Sequence, residues 1–257
     1  MTASSGPSRA EARLLPCPWR LVEPPPLPPL RWAPLPEPRQ PLVLCLDRRE
    51  PLPEGVREAL AGSLSPREQQ RRAALRQPAD QERFLRGRGA LRQLLAAWLG
   101  RAPAAVPIEV GPHGKPRCPA GPEFNVSHSG ELILLALHPS RPVGVDVEQA
   151  RPDLDWRPIA QRVLPPAEAG ALERIAAREG AGAAADGFLA AWCRLEARLK
   201  ARGDGLPGLG DPRQRQEADA AEVTLWDVAV PPGYRAAVAL MDRPAVAAAG
   251  CPPDPPG

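Results

Sequence analysis

The stretch Gly144-Val145-Asp146-Val147-Glu148 constrains this chain more than any other. Valine and carboxylate alternate strictly, the period of a β-strand with two opposed faces. Side chains two apart on a strand share a face, so Asp146 and Glu148 project together, with Cα atoms roughly 6–7 Å apart. Val145 and Val147 anchor the other face in a core. The apolar run 132–137 just upstream predicts a buried neighbour, and hence an interior position for the acidic strand. Two like charges held there repel and lose hydration, and a bound cation relieves both costs. A third carboxylate stands in Trp192-Cys193-Arg194-Leu195-Glu196, on a predicted helix. Three such oxygen donors suit a hard divalent cation such as Mg²⁺. The plainer alternatives are a solvated edge strand for Asp146/Glu148 and a surface Glu196/Lys200 pair.

Bulk properties exclude several classes. The 257 residues fit one large domain or two small ones, and a formal charge of +3 is too small to argue for nucleic acid or a membrane surface. An anionic ligand must therefore be held by local cations. The five cysteines form no C-x-x-C pair, which argues against a disulfide framework or zinc site and places the chain in the cytoplasm. No stretch approaches the roughly 20 apolar residues of a membrane span. Arg9 and Arg13 are not followed by the apolar core of a secretory signal.

Residues 1–40 are rich in Pro, including Pro24-Pro25-Pro26 and Pro28-Pro29. Proline disfavours helix interiors and inner strands, so this segment is expected to be a disordered tail. Residues 243–257 form a second flexible tail. Between them the apolar patterns predict strands at 42–46, 106–110, 124–130, 132–137, 143–148, 222–230 and 234–241. Helices are expected at 53–62, from 65, from 80 to 99, and at 156–163, 166–178 and 186–201. Ser65-Pro66-Arg67-Glu68 has the form of a capped helix start. The order of elements describes an α/β (α+β) fold of two similar halves, 41–143 and 144–242, packed as a pseudo-twofold pair with the site between them.

Other residues have chemistry in reach. Glu196 and Lys200 are four apart on one helix face. Ser127 and His128 point to opposite strand faces, which disfavours a nucleophile–base dyad but permits phosphate recognition by both. Lys115 sits in the rigid turn Gly114-Lys115-Pro116. Gly203-Asp204-Gly205-Leu206-Pro207-Gly208 matches G-x-G-x-x-G. It follows a helix rather than a strand and carries a proline, so it reads as a helix cap and loop.

Taken together, Phe124-Asn125-Val126-Ser127-His128-Ser129-Gly130, Gly144-Val145-Asp146-Val147-Glu148, Trp192-Cys193-Arg194-Leu195-Glu196-Ala197 with Lys200, Gly114-Lys115-Pro116 and Pro232-Gly233-Tyr234 resemble the motifs of the 4′-phosphopantetheinyl transferases. The likeness is to the larger, surfactin-synthetase-activating type, and it runs from about 42 to 241. It implies Mg²⁺-dependent transfer of the phosphopantetheine arm of coenzyme A to a serine of an apo acyl or peptidyl carrier protein, with release of adenosine 3′,5′-bisphosphate. It implies Asp146, Glu148 and Glu196 as metal ligands, and Glu196, Lys200 and Asp146 as catalytic residues. Arg83, Lys115, Ser127, His128 and Lys200, with Arg71 as a weaker candidate, would hold coenzyme A. A monomer is expected, and the Arg-rich residues 67–92 are a candidate docking face for an acidic carrier. The chain departs from the family pattern at Leu195, where a lysine is common; Arg194 could supply the lost cation, but one step along a helix rotates a side chain by about 100°, and Leu195 also falls on the apolar stripe of its helix. A non-catalytic carrier-binding relative and another Mg²⁺-dependent phosphoester enzyme are the competing readings.

Overall fold

The computed structural model describes residues 13–15 (backbone only), 39–111, 114–151, 153–203 and 223–242. In chain order its strands are β1 (Arg13–Leu15), β2 (Leu42–Asp47), β3 (Glu109–Val110), β4 (Pro116–Arg117), β5 (Glu123–Ser129), β6 (Leu132–His138), β7 (Val143–Gln149), β8 (Val223–Val228) and β9 (Tyr234–Met241). The helices are α1 (Glu54–Ser63), α2 (Pro66–Ala73), α3 (Pro78–Leu99), α4 (Trp156–Val163), α5 (Pro166–Glu179) and α6 (Ala181–Arg202). The α/β class expected from the pattern is the one found. Among the described residues no helix is long and apolar enough to cross a membrane.

Strand alternation sorts the core into layers. One sheet has the order β2-β6-β5 and the other β1-β8-β9-β7. In the first sheet Leu44, Leu46, Ile133, Leu135 and Leu137 face α1 and α3. Their neighbours Val43, Leu132, Leu134 and Ala136 turn the other way and meet Val145, Val147, Val238 and Leu240 of the second sheet. The outer face of that second sheet, through Ala237 and Ala239, packs on Cys193, Ala197 and Ala201 of α6. The order of layers is helices, sheet, sheet, helices. A 22-residue helix, α3 for one sheet and α6 for the other, lies over each sheet.

Several details differ from expectation. β7 pairs with β9 alone and is an edge of its ladder. Its interior position comes from β5 lying against its free edge through side-chain bonds. Within the Pro-rich segment, Arg13–Leu15 pairs in parallel with β8; residues 1–12, 16–38 and 243–257 of the expected tails lie outside the described residues. The strand expected at 106–110 is only Glu109–Val110, following a 3-10 turn at Pro103–Ala105. α6 begins at Ala181, five residues before the expected start at 186, because Ala181 to Ala185 carry no apolar stripe although Ala184 is buried.

The start of α2 matches its sequence signal. The Ser65 amide and hydroxyl both donate to Glu68, at 2.9 and 3.0 Å. Glu68 also accepts from Arg88 Nε (2.5 Å) and from Arg92 Nε. Burial alone would raise its pKa, but the Arg92, Ser65 and Arg88 bonds outweigh that and hold it low.

Candidate active site

The outer face of β7 carries Gly144, Asp146 and Glu148 toward α6, opposite to the valines that enter the core. Gly144 is required by the packing. A Cβ there would overlap the Ala197 carbonyl oxygen and the Ala201 amide nitrogen, and would lie 2.8 Å from the Lys200 carbonyl carbon. Its missing side chain lets α6 lie directly on β7. That contact brings Glu196 and Lys200, one helical turn apart, over the carboxylates of the strand.

β5 approaches β7 from the other side with polar side chains at every second position. Asn125 Oδ1 accepts from the Val145 amide at 3.0 Å. Ser127 Oγ donates to Asp146 Oδ1 at 2.9 Å, and Ser129 Oγ to Glu148 Oε2 at 3.0 Å. The Gln149 amide in turn donates to Ser129 Oγ at 3.1 Å. Asn125 and Ser129 are contributors that the sequence reading quoted but did not assign. Their two-residue spacing from Ser127, on one strand face, was the available signal.

Lys200 Nζ closes the cluster, donating to Asp146 Oδ1 at 2.6 Å and to Ser127 Oγ at 3.1 Å. The Asp146 side chain is 4% exposed, so the carboxylate is removed from water, while Lys200 remains 29% exposed. Burial pushes Glu196 up to about 7; the Lys200 ammonium offsets part of that, and the Asp146 and Glu148 charges add to it. Glu148 is raised too, by burial and by Asp146. These mutual influences place all three acids and Lys200 in one electrostatic site.

Asp146 Oδ2 and Glu196 Oε1 are buried with no hydrogen-bond partner. A buried carboxylate oxygen left unused is costly, and a hard cation would satisfy both. Among the described residues, no three His, Cys, Asp or Glu side chains stand together in a geometry that holds a metal. The Lys200 ammonium provides the positive charge at Asp146 instead. The donor set fits a hard cation by its chemistry and by its two unused oxygens, and closing around one requires the carboxylates to turn.

The other expected residues divide. His128 is exposed, on the face opposite Ser127. Partial desolvation and then the Arg83 cation lower its pKa, with Lys200 adding to the effect. Arg83 Nη1 bonds Asp80 at 2.5 Å and Nη2 the Gly130 carbonyl at 3.1 Å, leaving Nε buried and unused. Arg71 is exposed and lies over the Phe84 ring, 5.6 Å from its centroid. Lys115 Nζ donates to the Val143 and Ala201 carbonyls at 3.1 and 3.2 Å.

Two expectations about cations are corrected. Arg194 is not a spare cation, because it forms a two-bond ion pair with Asp227 of β8 at 2.8 and 2.6 Å. One residue along a helix turns a side chain by about 100°, so Arg194 projects in a different direction from position 195. Leu195 packs with the apolar cluster of α4, α5 and α6. The Arg-rich residues 67–92 are also not one docking face: Arg86 and Arg92 are buried, and Arg88 is tied to Glu68. Arg67, Arg71 and Arg76 remain exposed.

The site is a buried acidic cluster with its own lysine, set between the strand β7 and the helix α6. A family model for the 4′-phosphopantetheinyl transferase superfamily matches residues 142–239, which contain all three acids and Lys200. The 4′-phosphopantetheinyl transferase HetI of Nostoc sp. is 35% identical over 162 residues, covering 61% of this chain and 67% of HetI. The putative 4′-phosphopantetheinyl transferase slr0495 of Synechocystis sp. is 36% identical over 149 residues, or 56% of this chain and 59% of that protein. The 4′-phosphopantetheinyl transferase AcpT of Salmonella typhimurium is 41% identical over 108 residues, 41% of this chain and 54% of AcpT. The chain belongs to the 4′-phosphopantetheinyl transferase superfamily, a family of transferases.

Proposed function

We propose that this protein moves the 4′-phosphopantetheine arm of coenzyme A to a serine hydroxyl of an apo acyl or peptidyl carrier protein, releasing adenosine 3′,5′-bisphosphate. The observation that carries the reading is the meeting of Asp146, Glu148, Glu196 and Lys200 between β7 and α6, with two buried carboxylate oxygens unused. Membership of the larger, surfactin-synthetase-activating branch is part of the proposal, resting on the motif set and the two sheet-and-helix halves. So are the cytoplasmic location and the assignment of one chain as the active unit.

Asp146, Glu148 and Glu196 would hold Mg²⁺, which supplies charge neutralisation for the pyrophosphate when bound. Transfer of this type depends on alignment and electrostatic stabilisation more than on covalent help from the protein. Lys200 leaves Asp146 for the pyrophosphate oxygens, where its charge stabilises the departing bisphosphate. Glu196, directly or through a water, accepts the proton of the attacking serine. Ser127, already in contact with Lys200, is placed to follow it and donate to a phosphate oxygen. Arg83 and His128 lie within each other's electrostatic influence and would receive the remaining phosphate of coenzyme A.

Incubation with coenzyme A, Mg²⁺ and an apo carrier protein, followed by weighing the carrier, tests the reading. A gain of one phosphopantetheinyl arm supports it. Cleavage of coenzyme A without change in the carrier would make the protein a hydrolase, and carrier binding without either reaction would make it a binding module. Asp146→Asn should reduce transfer by a factor on the order of 10³ while the circular dichroism spectrum is retained. Transfer at near-normal rate by that variant would remove Asp146 from the machinery.

A further inference from the structure

We infer that Lys115 is a positioning residue that braces the two elements bearing the acidic cluster, rather than a ligand of the coenzyme A phosphates. The inference rests on the transfer reading above. Lys115 belongs to the first half of the chain, in the turn between β3 and β4. Its ammonium donates to two backbone carbonyls, Val143 at 3.1 Å at the start of β7 and Ala201 at 3.2 Å near the end of α6. Val143 is the first residue of β7, three before Asp146. Ala201 lies in the last turn of α6, directly after Lys200. One cation therefore joins the start of the strand that carries Asp146 and Glu148 to the end of the helix that carries Glu196 and Lys200.

The chemistry at both ends favours a lasting contact. The carbonyls of a helix's last turn have no partner inside the helix and form the negative end of its dipole, where a cation is stabilised. α6 stops there at Gly203, a left-handed cap, and a Cβ built on Gly203 would lie 3.9 Å from Lys115 Cδ. The lysine stem thus packs against the helix end. Gly144, the residue that allows α6 to touch β7, adjoins the Val143 carbonyl. A phosphate drawn to Lys115 would have to break both carbonyl bonds and with them the link between β7 and α6.

Lys115→Met and Lys115→Gln in the full chain test this. Three quantities are measured: the dissociation constant for coenzyme A by calorimetry without carrier, kcat at saturating substrates, and amide hydrogen exchange. For Lys115→Met, coenzyme A affinity should stay within about twofold, kcat should fall at least tenfold, and amides of the last turn of α6 should exchange at least tenfold faster. Lys115→Gln retains an N–H donor without the charge, so it should recover several-fold of the lost kcat; it also serves if the Met variant does not fold. A tenfold loss of coenzyme A affinity with kcat retained would make Lys115 an anion ligand and overturn the inference. Lower thermal stability with unchanged kcat would overturn it as well, reducing Lys115 to a purely structural residue. If the wild-type protein modifies no carrier, the transfer reading fails by itself. The exchange measurement still decides the brace, because unchanged exchange in Lys115→Met would refute it.

Discussion

Gly144→Ala should separate the two elements that build the acidic cluster. The added methyl would overlap backbone atoms of Ala197 and Ala201 and sit 2.8 Å from the Lys200 carbonyl carbon. Ordinary carbon contacts are about 3.5–4.0 Å, so α6 must retreat from β7 by about 1 Å. No rotamer change relieves the clash, because every atom met is main chain. Overpacking of this kind costs about 1–3 kcal/mol, and rigid neighbours on both sides put this site at the upper end. For a chain of this size that is a fall in Tm of about 5–10 °C. The same retreat carries Glu196 and Lys200 off Asp146, and a misplacement of about 1 Å can cost a factor of about 10² in rate. Differential scanning calorimetry and carrier modification followed by mass spectrometry measure the two effects together. Wild-type Tm with wild-type kcat in the Ala variant would refute the claim that this contact sets the site.

Further outcomes follow from the same geometry. Glu196 holds its proton more tightly folded, at about 7 against an ordinary 4.5, so its contribution to stability is complete below 4.5 and lost as pH rises through about 7. That loss is on the order of 3 kcal/mol. Metal-free Tm should fall across this window in wild type and stay flatter in Glu196→Gln, and a parallel decline in both proteins would contradict the assignment. Since a metal binds the ionised acids, Mn²⁺ affinity should rise over the same window. Lys200→Met should bind Mn²⁺ more tightly than wild type in the absence of coenzyme A, because the ammonium no longer occupies Asp146; weaker binding, read by electron paramagnetic resonance, would count against that competition. Glu68→Ala leaves Arg88 and Arg92 without their carboxylate and should cost about 3–5 kcal/mol, seen as a lower midpoint in urea.

Local patterns carried much of this fold. The alternation at 143–148 placed two valines in the core and two acids on the opposite face, and α4 and β9 begin and end where their apolar spacing predicts. The Ser65–Glu68 cap was readable because both partners lie within four residues. Glu68's second task was not, since Arg88 and Arg92 reach it only after α3 packs against α2. The same limit hid the ion pair of Arg194 with Asp227, 33 residues away, and the carbonyl contacts of Lys115. Charge in a sequence shows that a side chain needs a partner but not which one. The start of α6 was missed for a different reason, because a run of alanines packs closely without producing an apolar stripe. In the candidate site, Asp146, Glu148, Glu196, Lys200 and Ser127 meet across three separate elements. The bond of Lys200 to Asp146 depends on a close approach that only a glycine at 144 permits.

In the proposed reaction the three carboxylates and Lys200 exchange partners when substrate arrives. A crystal structure with coenzyme A and Mn²⁺, with the metal located by its anomalous scattering, tests it most directly. The account predicts a single metal peak bounded by Asp146, Glu148 and Glu196, with Lys200 moved from Asp146 onto the pyrophosphate. A metal bound elsewhere, or Lys200 still bonded to Asp146 beside bound coenzyme A, would contradict it.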